Sequence, residues 1–123
     1  MKKFGIIFAI LLLTGIACVS ENAQTKAEKQ GWHLSMQSYT FHLFSVMESL
    51  DKTQELGIKF IEIYPGQKLG EGFGEETFGY GLDENRIKKL KDAASSRNIK
   101  IVSSGVWTAT REEWEKIFSF AKD

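Results

Sequence analysis

From Trp32 onward the chain alternates between two hydrophobic periods, and that alternation constrains its fold more than any other feature. Residues 32–41 (WHLSMQSYTF) alternate larger apolar with polar side chains, the period-two pattern of a first strand. Val46, Leu50 and Leu56 share one side of an amphipathic helix that Gly57 closes as a C-terminal cap. Residues 58–64 (IKFIEIY) predict a second strand, stopped by Pro65-Gly66. A glycine-rich stretch, residues 66–81, has no element of its own. Asp83 then caps a second helix whose buried stripe is Ile87, Leu90 and Ala94. Arg97-Asn98 ends it, and residues 99–104 (IKIVSS) predict a third strand. Thr110 is the expected cap of a third helix, with Glu112 and Glu113 in its first turn and Trp114, Ile117, Phe118 and Ala121 on its apolar face.

The order is βα, βα, βα, at roughly 30 residues per unit, which implies parallel strands joined by right-handed crossover helices. Two architectures use that pattern, the doubly wound open sheet and the closed barrel. A three-stranded parallel sheet leaves both edges open and its last helix with little to cover. The expectation is therefore an interrupted array, not a working enzyme by itself.

The first 23 residues obey different rules. Lys2 and Lys3 precede the apolar run 6–13 (IIFAILLL), and small residues follow it. That run is shorter than the ~20 residues a spanning helix needs, and the pattern is that of a secretory signal. Two cleavage readings stand. Residues 15–18 (GIAC) resemble a lipobox, which would make Cys18 the lipidated first residue, although Gly15 replaces the usual large aliphatic side chain. Ordinary cleavage near Ala23 is the other. Residues 24–30 read as a polar linker, leaving 31–123 as the domain. The protein is thus expected outside the cytoplasm, periplasmic or held to a bacterial membrane only through Cys18. With 16 basic and 16 acidic residues and no basic stripe, nucleic acid is not an expected partner.

In βα architectures ligands gather at the C-terminal ends of the strands. Alternation in the second strand sets Phe60, Glu62 and Tyr64 on one face, with Ile61 and Ile63 beneath the helices. A carboxylate there needs a cation, a donor or a ligand. Glu62 is therefore the catalytic candidate, the alternative being a structural ion pair with a neighbouring Lys or Arg. His42 follows the first strand at the ligand end, whereas His33 precedes it at the opposite end and reads as a solvated side chain. Gln37, Tyr39, His42, Tyr64, Gln67, Lys68 and Trp107 are substrate-binding candidates, with Tyr39, Phe41, Tyr64 and Trp107 as a wall for a sugar ring or as ordinary core. The glycines between 70 and 81 lack phosphate-loop spacing and read as a flexible active-site loop or a plain surface loop. No metal-ligand spacing is present.

The segment FIEIYPGQKLG, residues 60–70, resembles the second-strand signature of sugar phosphate isomerase/epimerase proteins, a group of xylose isomerase-like TIM barrels. GWHLSMQSYTF before it, the stretch FGYGLDENRIKKLKDAASSRNIKIVSSGVW after it and the terminal REEWEKIFSFAKD agree with that likeness from Gly31 onward. The resemblance implies the first three units of a (β/α)8 barrel. It also implies a small carbohydrate substrate and a divalent metal at the mouth. The chemistry implied is proton abstraction next to a sugar carbonyl. Its principal metal ligands belong to later strands, and Gly105 stands where some relatives carry a histidine. Two rivals remain: a non-catalytic carbohydrate-binding module, and a barrel lyase or hydrolase acting on oxidised sugars.

Overall fold

The computed structural model describes residues 25–122, so the signal segment and Cys18 lie outside the described residues. The first described element lies within the stretch 24–30 read as a linker. Lys26–Lys29 form a helical turn, α1, closed by a reciprocal capping box between Thr25 and Glu28.

The remaining order is β1 (Ser35–Gln37), α2 (Val46–Glu55), β2 (Phe60–Ile63), α3 (Glu84–Ser96), β3 (Lys100–Ser104) and α4 (Trp114–Phe120). The strands make one all-parallel sheet in the order β1-β2-β3. The chain is therefore α/β, built from three consecutive β/α units. β1 is shorter than its sequence pattern, because the Gln37 side chain accepts a hydrogen bond from the Tyr39 amide at 2.6 Å and turns the chain into a 3₁₀ segment, Ser38–Phe41. A local side-chain acceptor here outcompetes the strand ladder.

Caps define the two long helices. Ser45 and Glu48 form a capping box at the start of α2, and the amides of Gly57 and Ile58 return to Gln54 and Thr53 at its end. Gly57 supplies the left-handed residue that this ending requires, at φ 69°. Asp83 caps α3 by accepting from the Arg86 amide, and Asn98 takes the left-handed position after it. Thr110 does not cap α4. That helix starts at Trp114 with Glu113 before it, and the Glu113 carboxylate instead folds back to accept from the Thr110 amide at 2.7 Å.

One face of the sheet carries the core. Ile61 and Ile63 are fully buried against Val46, Met47 and Leu50 of α2 and Leu90 and Ala94 of α3. Each such aliphatic side chain contributes about 1.5–3 kcal/mol on burial. The glycine-rich segment is a structured cover and not a lid. Leu69, Phe73 and Phe78 are buried in the same cluster, and the backbone pairs Gly66 with Phe78 and Leu69 with Glu76 around an antiparallel bridge, Lys68 to Thr77. On α4 only Ile117 is buried. Phe120 packs against the core, whereas Trp114 and Phe118 are exposed and lie tilted against each other, centroids 5.6 Å apart, and Ala121 is exposed, which corrects the expected apolar face.

Candidate functional site

The helices cover the Ile61 and Ile63 face, so the intervening Glu62 projects from the opposite face of the central strand. Its neighbours are set by register. Gln37 stands beside it on β1, and Ser103 stands beside it on β3. The second pairing depends on a register shift between Ile61 and Glu62: Ile61 pairs with Ile101, and the next partner is Ser103, with Val102 bypassed. Ser103 Oγ donates to Glu62 Oε2 at 2.7 Å. Among the described residues Glu62 has a hydroxyl partner and no ion pair, in contrast to the bland expectation of a Lys or Arg neighbour. Gln37 uses both ends of its amide: Oε1 accepts from Tyr39, and Nε2 donates weakly to the Gly105 carbonyl at 3.4 Å.

An aromatic group adjoins this polar row. The 3₁₀ segment after β1 brings Tyr39 into a stack with His42, centroids 4.9 Å apart, and into an edge contact with Tyr64 at 5.2 Å. The Ser38 hydroxyl, fully buried, fixes the arrangement by accepting from the Tyr64 amide at 3.0 Å. His42 Nδ1 lies 3.1 Å from the Tyr39 carbonyl, an acceptor, so the neutral ring carries its proton there and turns Nε2 outward as an acceptor. Tyr39 remains 58% exposed, which leaves a ring face open to a ligand. Gln37, Tyr39, His42, Glu62 and Tyr64 are thus gathered at the C-terminal end of the sheet.

The other candidates are placed elsewhere. Gln67 is 1% exposed, and its Nε2 donates to the Phe44 carbonyl and to Ser49 Oγ, both at 3.0 Å, tying the loop to α2. Lys68 lies on the loop surface, ion-paired with Glu75 at 2.8 Å. Trp107 packs with Tyr80 and Phe120 and supports the core beside α4, while Phe41 is half-buried in the 3₁₀ segment. His33 stacks on Phe60 at 4.4 Å, at the opposite end of the sheet from the site. Ser103 was not among the sequence's candidate site residues, and its contact with Glu62 comes from the register of β3. Strict alternation through KIVSS does not announce the register shift that makes Ser103 a neighbour of Glu62.

Among the described residues no group of three or more His, Cys, Asp or Glu side chains comes together. These residues do not by themselves make a divalent-metal site. No helix among them is long and apolar enough to cross a membrane. An apolar groove of about 230 Å³ lies along β3 between α3 and α4, and Leu82, Leu90, Ile101 and Phe120 are among its walls. It has no carboxylate in its lining.

No family model and no curated protein sequence matches the chain. Among solved structures, it is similar to an uncharacterized protein from Parabacteroides distasonis, with 38% identity and a TM-score of 0.69. The match covers 72% of this chain and 38% of that one, so the likeness spans well under half of the longer protein.

Proposed function

We propose that the three β/α units belong to a xylose isomerase-like barrel of the sugar isomerase/epimerase kind, and that the C-terminal end of the sheet is its carbohydrate site. The observation that carries this reading is Glu62. A half-buried carboxylate projects from the central strand beside two polar side chains, with one oxygen held by Ser103 and an aromatic surface adjoining. A carboxylate so held accepts a sugar hydroxyl, and in the complete site it is suited to move a proton next to the carbonyl. Tyr39 and Tyr64 offer the apolar surface that a sugar ring's C–H face packs against. The leader-like residues 2–17 support an exported protein, whose substrate is then a free sugar more readily than a phosphorylated one.

A second reading, a non-catalytic carbohydrate-binding surface, is favoured by one feature: among the described residues the hydrogen-bond partner of Glu62 is the Ser103 hydroxyl and not a second carboxyl group. Titrating the isotope-labelled chain with D-xylose, while following ketose formation, tests both. Shifts confined to residues around Gln37, Tyr39, Glu62 and Ser103, without turnover by this chain alone, are expected. Shifts centred on Leu90, Ile101 and Phe120 would move the site to the apolar groove and refute the proposal. Turnover by these residues alone would show that three units suffice and overturn the assignment of the activity to a larger barrel.

A further inference from the structure

The groove between α3 and α4 has a chemistry of its own, and nothing in it depends on the strand-end reading above. We propose that it binds a medium-chain alkyl carboxylate, a free fatty acid of about eight carbons, with the chain on the apolar walls and the carboxylate between Lys91 and Lys122.

The walls come from three elements. Leu82 precedes α3, Ile87 and Leu90 stand one turn apart on it, Ile101 and Val102 belong to β3, and Phe120 ends α4. Leu90 is buried, whereas Ile87, Ile101 and Phe120 are half-buried and Val102 is 47% exposed. The groove therefore has a floor continuous with the core and apolar walls that still face water. Covering such walls with an alkyl chain removes apolar surface from solvent. The volume of about 230 Å³ is about eight times the ~30 Å³ that one water takes up in the liquid, and a methylene group is of similar size. A chain of about eight carbons fills it. A sugar ring would bring hydroxyls to walls made mostly of carbon.

Charge selects the head group. The two charged residues in the lining are Lys91 and Lys122, both cations. Neither is ion-paired among the described residues, and Asp92, next to Lys91, is already bonded to Lys88. A lysine lays its methylene stem along apolar surface and keeps its ammonium in water, so both side chains extend the walls and set positive charge at the rim. That arrangement attracts an anion carrying an apolar tail and repels the same tail on a cation. It also disfavours a second copy of the chain seated groove to groove, which would bring four lysines together.

The test uses the full chain, isotope-labelled, in NMR titrations at low salt with hexanoate, octanoate, decanoate and octylammonium, with D-xylose as a separate arm. Each is repeated on the double variant Lys91→Gln/Lys122→Gln and on Val102→Glu and Val102→Gln, with thermal midpoints recorded. All three positions are exposed, so the midpoints without ligand are expected to stay near the parent's. Octanoate is expected to shift the amides of Ile87, Ile101 and Phe120 and to change the fluorescence of Trp107, whose ring lies 6.1 Å from that of Phe120. A fully buried methylene is worth about fourfold in affinity, so hexanoate should bind up to about fifteenfold more weakly, and decanoate should gain little over octanoate. Octylammonium should bind about tenfold more weakly than octanoate, and the double lysine variant should erase that difference. Val102→Glu, which sets a carboxylate in the wall, should abolish octanoate binding while Val102→Gln retains most of it.

No shift at Ile87, Ile101 and Phe120 with octanoate or decanoate overturns the site. Equal affinity for octanoate and octylammonium in the parent, or equal loss in both Val102 variants, overturns the head-group assignment. Groove amides that move on dilution of the chain alone, with a falling molecular mass, give the groove to a second copy and overturn the ligand. Xylose shifts at Gln37 and Tyr39 are read independently, so failure here leaves the Glu62 reading standing, and failure there leaves the groove.

Discussion

Gln67 separates a ligand-binding role from a structural one, and its replacement by methionine tests which it holds. The side chain is buried at 1% exposure, so methionine of similar length fills the same volume. The substitution removes two donated hydrogen bonds, to the Phe44 carbonyl and Ser49 Oγ, each at 3.0 Å. At about 1 kcal/mol net apiece, their loss costs about 2 kcal/mol. One term opposes it. Gln67 Oε1 is buried without a partner, and deleting it relieves about 1 kcal/mol or more of unmet desolvation. Ser49 Oγ keeps its own bond to the Ser45 carbonyl at 2.8 Å, so no further donor is stranded. The balance is a destabilisation of about 1 kcal/mol, or a midpoint about 4–8 °C lower for a domain of this size.

The assay is thermal unfolding followed by tryptophan fluorescence, paired with a xylose titration. The expected outcome is a lower midpoint with unchanged sugar affinity. Gln67→Glu sharpens the test through its pH dependence. Burial raises a carboxyl group's pKa in the folded state above its unfolded value, so the variant is most stable relative to the parent at low pH. That relative stability is lost as pH rises through the folded value. Loss of sugar binding by Gln67→Met at an unchanged midpoint would refute the argument and return Gln67 to the site.

Two further outcomes follow from contacts elsewhere. Gly70 has φ +92°, and an added Cβ would lie 2.5 Å from both Cβ and Oγ of Ser45, the residue that caps α2. Gly70→Ala should therefore cost roughly 2–4 kcal/mol in chemical denaturation, against about 1–2 for Gly74→Ala, where φ is positive but nothing lies within 4 Å. The second outcome concerns the Tyr80–Glu113 hydrogen bond at 2.7 Å. The Thr110 amide first, and then Tyr80 and the Thr110 side chain, hold the Glu113 carboxyl below its ordinary 4.5. That contribution is complete above the unfolded value and is lost as pH falls through the lowered folded one. Glu113 first, then burial, raises the Tyr80 phenol above its ordinary 10.0, so its share is complete below that value and lost as pH rises through the raised one. Trp107, whose ring is 5.8 Å from Tyr80, should report both steps in fluorescence, and Glu113→Gln should remove the acid one.

The parts of this molecule that were legible in its sequence are those in which one local rule acts alone. Asp83, Gly57 and Asn98 mark helix ends because capping depends on residues within a single turn. Ile61 and Ile63 enclose Glu62 because a strand has period two. What was not legible came from competition between rules or from contacts distant in sequence. The alternating pattern of residues 32–41 promised a long first strand, but the Gln37 side chain captured the Tyr39 amide and ended it at Gln37. The glycines of residues 66–81 suggested looseness, although Leu69, Phe73 and Phe78 bury the segment once α2 and α3 are in place. Ser103 met Glu62 through a register shift that no residue in β3 signals.

The same distinction decides what belongs to the site. Gln37 and Gln67 have identical chemistry and both stood as ligand candidates, yet their hydrogen bonds divide them. Gln67 spends its donors inside the fold, where no ligand reaches, and its unmet acceptor is enclosed. Gln37 spends its acceptor firmly, at 2.6 Å, but holds Gly105 only at 3.4 Å, a bond that a better acceptor can replace. Glu62 has one oxygen fixed and one uncommitted. A recognition site needs side chains whose positions are fixed by the protein while part of their bonding capacity is not. By that criterion the uncommitted capacity lies at the end of the sheet, on Gln37 Nε2, Glu62 Oε1 and His42 Nε2, and the loop that follows β2 is scaffold.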